Sequence, residues 1–136
     1  MAQLVVEAIV NNEREKVWEA YTNPKLITKW NHADESWHCP KAEHDLVPGG
    51  KFNFRMEAKD GSEGFDFTGV YDEVVFPERI LFTMDDGRTA RITFEELGNS
   101  THVKVSFDPE NENPHKMQVG GWQAILNNFK TVAESL

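Results

Sequence analysis

Short segments of alternating apolar and polar residues, separated at regular intervals by turn residues, fill the middle of the chain over residues 37–108. Because only a short turn joins each segment to the next, the pattern predicts six antiparallel strands in a meander. The strongest hairpin signal is an Asp-Gly pair. The turn signals are Val47-Pro48-Gly49-Gly50, Asp60-Gly61-Ser62-Glu63-Gly64, Phe76-Pro77-Glu78, Asp86-Gly87 and Leu97-Gly98-Asn99-Ser100.

The alternation also predicts which face of this sheet is covered. Phe52, Phe54 and Met56 lie at every second position, with polar residues between them. Two later segments repeat this pattern with Ile92, Phe94, Val103, Val105 and Phe107. A sheet with one apolar face and one polar face packs against helices on the apolar side only.

The flanking segments supply one more strand and the helices. Leu4–Val10 is rich in branched residues and predicts a strand, followed by short helices at residues 13–21, capped by Asn11 or Asn12, and at Pro24–Trp30. Residues 115–136 predict a long helix, because Trp122, Leu126, Phe129, Ala133 and Leu136 recur at helical spacing. The order is β-α-α-β6-α. We therefore expect one α+β domain over residues 1–136, with a curved antiparallel sheet wrapped around the C-terminal helix.

Composition limits the classes of partner. The chain has 23 acidic and 14 basic residues and a formal charge of −9, which disfavours nucleic acids and anionic membrane surfaces. No apolar run approaches the roughly 20 residues of a membrane span, and Glu7 interrupts the apolar N-terminus, unlike in a signal peptide. With Cys39 as the single cysteine, no internal disulfide can form. A cytoplasmic location is predicted.

Several motifs, in order along nearly the whole chain, carry a family resemblance. They are Val17-Trp18-Glu19-Ala20-Tyr21-Thr22-Asn23-Pro24 with Leu26 and Trp30, Pro48-Gly49-Gly50-Lys51-Phe52, Gly69-Val70-Tyr71, Pro77-Glu78-Arg79-Ile80, and Gly121-Trp122 with Leu126. Together they resemble the START-like (SRPBCC) superfamily, and within it the branch of activator of heat-shock protein 90 ATPase homologues and polyketide cyclases. The resemblance implies the helix-grip fold. It leaves function open, because this scaffold serves lipid transport, hormone sensing, cyclisation and co-chaperone activity.

The resemblance also implies an apolar cavity between the sheet and the long helix. The alternative is that the same aromatic side chains fill the interior completely. Polar contacts to a ligand are expected from the hydroxyl of Tyr71 together with His38 or Arg88. The expected cavity residues are Trp30, Phe52, Phe54, Phe67, Tyr71, Phe82, Met84, Ile92, Trp122 and Leu126.

A group of histidine, cysteine and acidic residues invites a metal site, with His32, Asp34, Glu35, His38, Cys39 and His44 within thirteen positions. If residues 37–46 form a strand, His38 and Cys39 point to opposite faces, and His38 and His44 lie roughly 20 Å apart. Neither pair can share one ion without a break in the strand, and only His32 with His38 or Cys39, across the loop before the strand, stays plausible. Since that spacing matches no closed structural site, we predict no metal site, and no cofactor.

The alternation of apolar and polar residues gives little support for a catalytic site. Most titratable side chains of the well-phased strands fall on the polar face, namely Arg55, Glu57, Arg91, Glu95, His102 and Lys104. The apolar face offers Tyr71, joined by His38, His44 or Arg88 if their strands turn them inward. No paired carboxylate, nucleophile with base, or phosphate loop is present in the pattern. No catalytic residue is assigned.

Three functions follow from these expectations. The favoured one is binding of a hydrophobic or aromatic small molecule in the cavity, admitted by movement of the loops at residues 32–36 and 108–114. The second is a polyketide cyclase-like enzyme that uses the same cavity. The third is a co-chaperone-like domain that binds a protein through its outer surface. A homodimer, through a sheet edge or the helix pair, is compatible with all three.

Overall fold

A computed structural model describes residues 2–136. The chain begins with β1 (Leu4–Val10), α1 (Arg14–Thr22) and α2 (Pro24–Trp30), and it ends with the long helix α3 (His115–Glu134). Between them lie the six strands of the meander, which are β2 (Trp37–His44), β3 (Lys51–Ala58), β4 (Gly64–Val75), β5 (Arg79–Met84), β6 (Thr89–Leu97) and β7 (Ser100–Phe107). The predicted α+β helix-grip order is confirmed.

All seven strands form one antiparallel sheet in the order β1-β7-β6-β5-β4-β3-β2. Consecutive strands are neighbours except β1 and β2, which form the two edges. The helix pair α1–α2 therefore carries the chain from one edge to the other. α3 packs along β1, α2 packs along β2, and the helices contact each other across the gap. Of the helices described, none combines the length and apolar character that a membrane span requires.

Helix boundaries differ slightly from the sequence prediction. α1 begins at Arg14 with Glu13 as its N-cap, and neither Asn11 nor Asn12 caps it. The side chain of Asn12 instead donates to the carbonyl oxygens of Ala133 (3.0 Å) and Leu136 (3.2 Å), which joins the start of α1 to the end of α3. A tertiary contact has thus replaced the local cap. β2 and α3 each end two residues before the predicted limit.

The core lies where α1 and α3 meet the apolar face of the sheet. Phe94, Phe107 and Phe129 are fully buried or nearly so. The ring of Phe107 stacks on that of Trp122 with centroids 4.0 Å apart and an interplanar angle of 5°. This contact joins the last strand to α3. The prediction that Leu136 belongs to the apolar stripe of α3 is wrong, because Leu136 is exposed and lies beyond the end of the helix.

Two glycines have opposite environments. A Cβ atom added to Gly69 in β4 would lie 2.5 Å from the carbonyl oxygen of Thr83 and 2.6 Å from the ring of Phe52. Glycine is therefore required there so that the aromatic ring can approach the strand. Gly120 in α3 has nothing within 4 Å of the same position. Close packing therefore does not explain the glycine at this position.

These environments predict stability changes of opposite sign for one kind of substitution. Gly69→Ala should lower the free energy of unfolding by about 1–3 kcal/mol, because the new methyl group overpacks the Phe52 ring and the strand. Gly120→Ala should raise it by about 0.5–1 kcal/mol, because alanine loses less backbone entropy in a helix. Urea unfolding of both variants measures the difference. Equal effects would contradict the close approach at Gly69.

Candidate functional site

A cavity of about 350 Å³ lies between strands β3–β5 and the helices. This volume is at the small end of the range for small-molecule sites, which is about 300–1,000 Å³. Phe52, Phe67 and Phe82 form the sheet side, with Phe52 and Phe82 in edge-on contact at 5.0 Å between ring centroids. Trp122, Ile125, Leu126 and Phe129 of α3 form the opposite side.

The structure places nine of the ten predicted cavity residues at the cavity wall, all except Ile92. Ile92 faces the interior but is completely buried in the core. Its cross-strand partner Ile80 reaches the wall instead. On the same strand, Phe94 packs against Trp18 and Tyr21 of α1. Arg88 also lies at the wall, as predicted for a polar contact.

The prediction that His38 contacts the cavity is wrong, and a β-bulge is the reason. Pairing between β2 and β3 shifts by one residue between His38 and Lys41. His38 therefore lies opposite Glu57 on the outer face, while His44 lies opposite Phe52 on the inner face. One extra residue in a strand reverses the side-chain direction of everything beyond it.

Tyr71 lies at the cavity wall, and its hydroxyl is hydrogen-bonded to His44. Nδ1 of His44 lies 2.7 Å from the hydroxyl oxygen of Tyr71. Burial lowers the pKa of His44, against a smaller opposing effect of a hydrogen bond to the backbone of Thr22, so the imidazole is neutral at pH 7. Since a carbonyl oxygen can only accept, the ring hydrogen is expected on Nε2, toward Thr22. Nδ1 then accepts from the hydroxyl of Tyr71.

Tyr21 brings a second hydroxyl to the cavity wall. Its ring is held by Trp30, stacked at 5.1 Å, and by Phe129, edge-on at 5.2 Å between centroids. Among residues 2–136 its hydroxyl makes no hydrogen bond. Burial raises the pKa of Tyr21 far above its ordinary value. The pKa of Tyr71 is raised as well, first by burial and then by the proximity of Tyr21.

Polar and charged side chains surround the other end of the cavity, at the start of α3. Nε of Arg88 donates to the carboxylate of Asp86 at 2.7 Å. The pKa of Glu110 is lowered, first by the backbone N–H of Glu112 and also by the charge of Arg88. Phe65, which is 52% exposed, completes this rim. We call this end the mouth, defined by Phe65, Arg88, Glu110, Asn113 and Gln118.

Gln118 fastens the loop at residues 108–114 over the mouth. Its side-chain oxygen accepts from the backbone N–H of Glu110 at 2.9 Å. Its side-chain nitrogen donates to the carbonyl oxygens of Glu110 at 3.1 Å and Asn113 at 2.8 Å. A single buried amide therefore supplies three of the contacts that hold this loop.

Sequence reasoning missed Tyr21 and Gln118 as site residues and left the direction of His44 open, because the pattern does not reveal the bulge. Tyr21 lies in a helical segment beside other apolar residues, where a tyrosine resembles any core residue. For Gln118 a signal was available, because it precedes Trp122 by four residues. It is a polar residue on the core-facing stripe of a helix, where a satisfied buried amide is the usual explanation.

The residues considered for a metal site lie apart. Over residues 2–136, no three histidine, cysteine or acidic side chains come together in a way that could hold an ion. Cys39 is buried, and its sulfur lies 3.5 Å from the carbonyl oxygen of Lys41. Burial raises the pKa of this thiol, so the nucleophilic thiolate is scarce at neutral pH.

Comparison with known proteins identifies relatives along almost the whole chain. The family model described as Activator of Hsp90 ATPase homolog 1-like protein matches residues 11–134. A solution structure of the AHSA1-like protein from Aeromonas hydrophila is 43% identical with a TM-score of 0.92, over 98% of this chain and 92% of that one. No curated protein sequence matches.

Two further solved structures are similar. Chr148 from Cytophaga hutchinsonii is 47% identical with a TM-score of 0.85, over 98% of this chain and 92% of that one. CV1439 from Chromobacterium violaceum is 25% identical with a TM-score of 0.87, over 98% of this chain and 99% of that one.

The burial of the hydrogen-bonded pair His44–Tyr71 predicts a lowered pKa for His44. Its imidazole should protonate below about pH 6.5, the value of an unperturbed histidine, with the hydrogen on Nε2 in the neutral form. Because the folded-state pKa is lowered, this residue favours folding above the unfolded-state pKa. That contribution is lost as the pH falls toward the folded-state value. Long-range ¹H–¹⁵N NMR spectra measure both pKa and tautomer. Titration above about pH 6.5, or a hydrogen on Nδ1, would contradict this arrangement.

Because Gln118 holds the loop at residues 108–114, Gln118→Ala is expected to have a local effect on that loop. Amide exchange at residues 110–113 should accelerate roughly tenfold or more, because the loop loses three hydrogen bonds of typically about 1 kcal/mol each. Hydrogen-exchange mass spectrometry measures it. Gln123→Ala on the same helix is the matched control, since Gln123 bonds to β1 and Asn127 instead. Equal exchange in both variants would show that Gln118 does not hold the loop.

Proposed function

We propose that this chain, which belongs to the family of Activator of Hsp90 ATPase homolog 1-like proteins, binds a hydrophobic or aromatic small molecule in the cavity between sheet and helices. The observation that carries the proposal is the cavity of about 350 Å³ with its aromatic wall. If the aromatic side chains filled the interior completely, no such volume would remain.

The wall favours an aromatic ligand. Phe52 and Phe54 stack at 5.1 Å between centroids, and Phe67 lies 5.5 Å from Phe52. Rings in such an arrangement offer both faces and edges to a further ring, an interaction worth about 0.5–1.5 kcal/mol beyond the buried area. Apolar area removed from water adds about 25 cal/mol per Å². A ligand made mostly of rings therefore gains from both effects.

A cyclase-like enzyme is the second candidate, supported by one observation. The hydrogen bond between Tyr71 and His44 joins a hydroxyl in the cavity to a neutral imidazole that can accept its proton. The remaining wall is poor in titratable groups, with Arg88 and Glu110 at the mouth. We favour binding over catalysis because a single weak acid–base pair supports only modest rate enhancement.

The cellular location, the excluded partners and self-association are predictions from the sequence. A cytoplasmic location fits a chain with one buried free cysteine. A charge of −9 is expected to keep nucleic acids and anionic membranes away. Self-association through a sheet edge or the helix pair is compatible with the proposal.

The test is a binding screen with a variant that fills the cavity. Thermal shift followed by calorimetry against fatty acids, aromatic polyketides and steroids should find ligands that raise the melting temperature. Ile125→Trp places a larger side chain on the cavity side of α3 and should weaken binding at least about tenfold. Thr131→Trp adds the same ring on the exposed side of α3 and is the matched control.

The outcomes distinguish the proposals. Binding lost in Ile125→Trp but kept in Thr131→Trp supports the cavity as the site. If no compound class stabilises the parent chain, the binding function is wrong. If a bound polyketide is converted to a cyclised product, and Tyr71→Phe abolishes the conversion without abolishing binding, the enzyme replaces the binding protein as the preferred function.

A further inference from the structure

We infer that the ligand carries an uncharged hydroxyl group, which is held between the hydroxyls of Tyr21 and Tyr71 at the end of the cavity away from the mouth. The inference rests on the proposed function and adds to it the chemical class of the ligand. Neither tyrosine hydroxyl is explained by packing alone. Both lie at the wall of an apolar cavity, and of the two only Tyr71 has a hydrogen-bond partner among the described residues, which is His44.

The position of this polar end follows from α3. Gln118 at the mouth and Phe129 both line the cavity, eleven residues apart on the helix, which corresponds to roughly 16 Å. Tyr21 packs against Phe129, with ring centroids 5.2 Å apart. An elongated ligand can therefore place one end among the charges of the mouth and the other at Tyr21.

Tyr71 requires a hydrogen-bond donor from the ligand. With the ring hydrogen of His44 on Nε2, the hydroxyl hydrogen of Tyr71 is donated to Nδ1, and the two heavy atoms lie 2.7 Å apart. The phenolic oxygen keeps a lone pair that can only accept. A ketone or ether oxygen at this place would face that lone pair without a hydrogen between them, whereas a hydroxyl can donate to it.

Tyr21 supplies the complementary partner. Among the described residues its hydroxyl has no hydrogen-bond partner, so its hydrogen is available to an acceptor in the cavity. A ligand hydroxyl can accept from Tyr21 while it donates to Tyr71. One small group then satisfies both tyrosines, which an amine cation or a methyl group cannot do.

The charges of the cavity wall indicate that the part of the ligand held between Tyr21 and Tyr71 is neutral. The titratable neighbours at this end are the two tyrosines and His44, and all three are uncharged at pH 7. The charged side chains that line the cavity, Arg88 and Glu110, belong to the mouth. A carboxylate or ammonium group beside Tyr21 would be buried without a counter-ion, which is strongly unfavourable.

The experiment compares three probes of nearly equal shape, 2-naphthol, 2-methylnaphthalene and 2-naphthoate, by calorimetry at pH 7. The measured quantity is the ratio of the dissociation constants of naphthol and methylnaphthalene. Tyr21→Phe and Tyr71→Phe should each raise this ratio about fivefold, as expected for one lost hydrogen bond. Naphthoate should bind the parent chain at least about tenfold more weakly than naphthol.

The control variant is Phe67→Leu, which alters the apolar wall and leaves both hydroxyls in place. It should change the affinity for naphthol and methylnaphthalene alike and leave their ratio unchanged. If Tyr71→Phe fails to fold because His44 has lost its partner, the double variant His44→Phe, Tyr71→Phe replaces both polar groups and keeps the test available.

Each outcome either supports or overturns the two-tyrosine site. A raised ratio in both tyrosine variants, with no change in Phe67→Leu, supports the inference. If both apolar probes bind but the ratio stays constant, or only one tyrosine changes it, the two-tyrosine site is wrong while cavity binding stands. Naphthoate binding as tightly as naphthol also overturns the neutral site. If neither naphthol nor methylnaphthalene binds the parent chain while a larger compound of the thermal-shift screen does, the hydroxyl site is wrong and the proposed function stands.

Discussion

The position of α3 over one half of the sheet is the constraint on which the cavity depends. α3 packs along β1 and against the other two helices, and the stacked pair of Phe107 and Trp122 ties it to β7. On the other half of the sheet, strands β3–β5 reach α3 only through long side chains. Curvature separates the two surfaces there, and aromatic rings from both sides leave about 350 Å³ between them.

Most of the fold could be predicted from local patterns. Alternation, turn residues and the stripe of α3 are properties of neighbouring residues, and the chain places nearly every strand beside the next one. The exception in strand order is β1, which pairs with β7 at the edge opposite β2, and no local pattern marks this pairing. Where prediction failed at Asn12, a long-range contact with the end of α3 had replaced a local cap.

The candidate site was less predictable because it depends on phase and on tertiary neighbours. A bulge between His38 and Lys41 turned His38 outward and His44 inward, and nothing in the sequence marks such a shift with certainty. Ile92 has the correct phase but is completely buried in the core. Tyr21 resembles any apolar residue of a helix stripe until its neighbours are known. Only Gln118 could be recognised from the sequence, as a polar residue on an apolar stripe.

The Gly-x-Tyr motif connects the fold to the site. Gly69 has no side chain, so the ring of Phe52 can lie against β4, where a Cβ atom would be 2.6 Å away. Two residues later on the same face, Tyr71 places its ring 5.3 Å from that of Phe52 and its hydroxyl against His44. Close approach at the glycine and the direction of the tyrosine are thus parts of one local arrangement. A motif that identifies the family by its fold therefore also shapes the aromatic wall and orients a hydroxyl at the cavity wall.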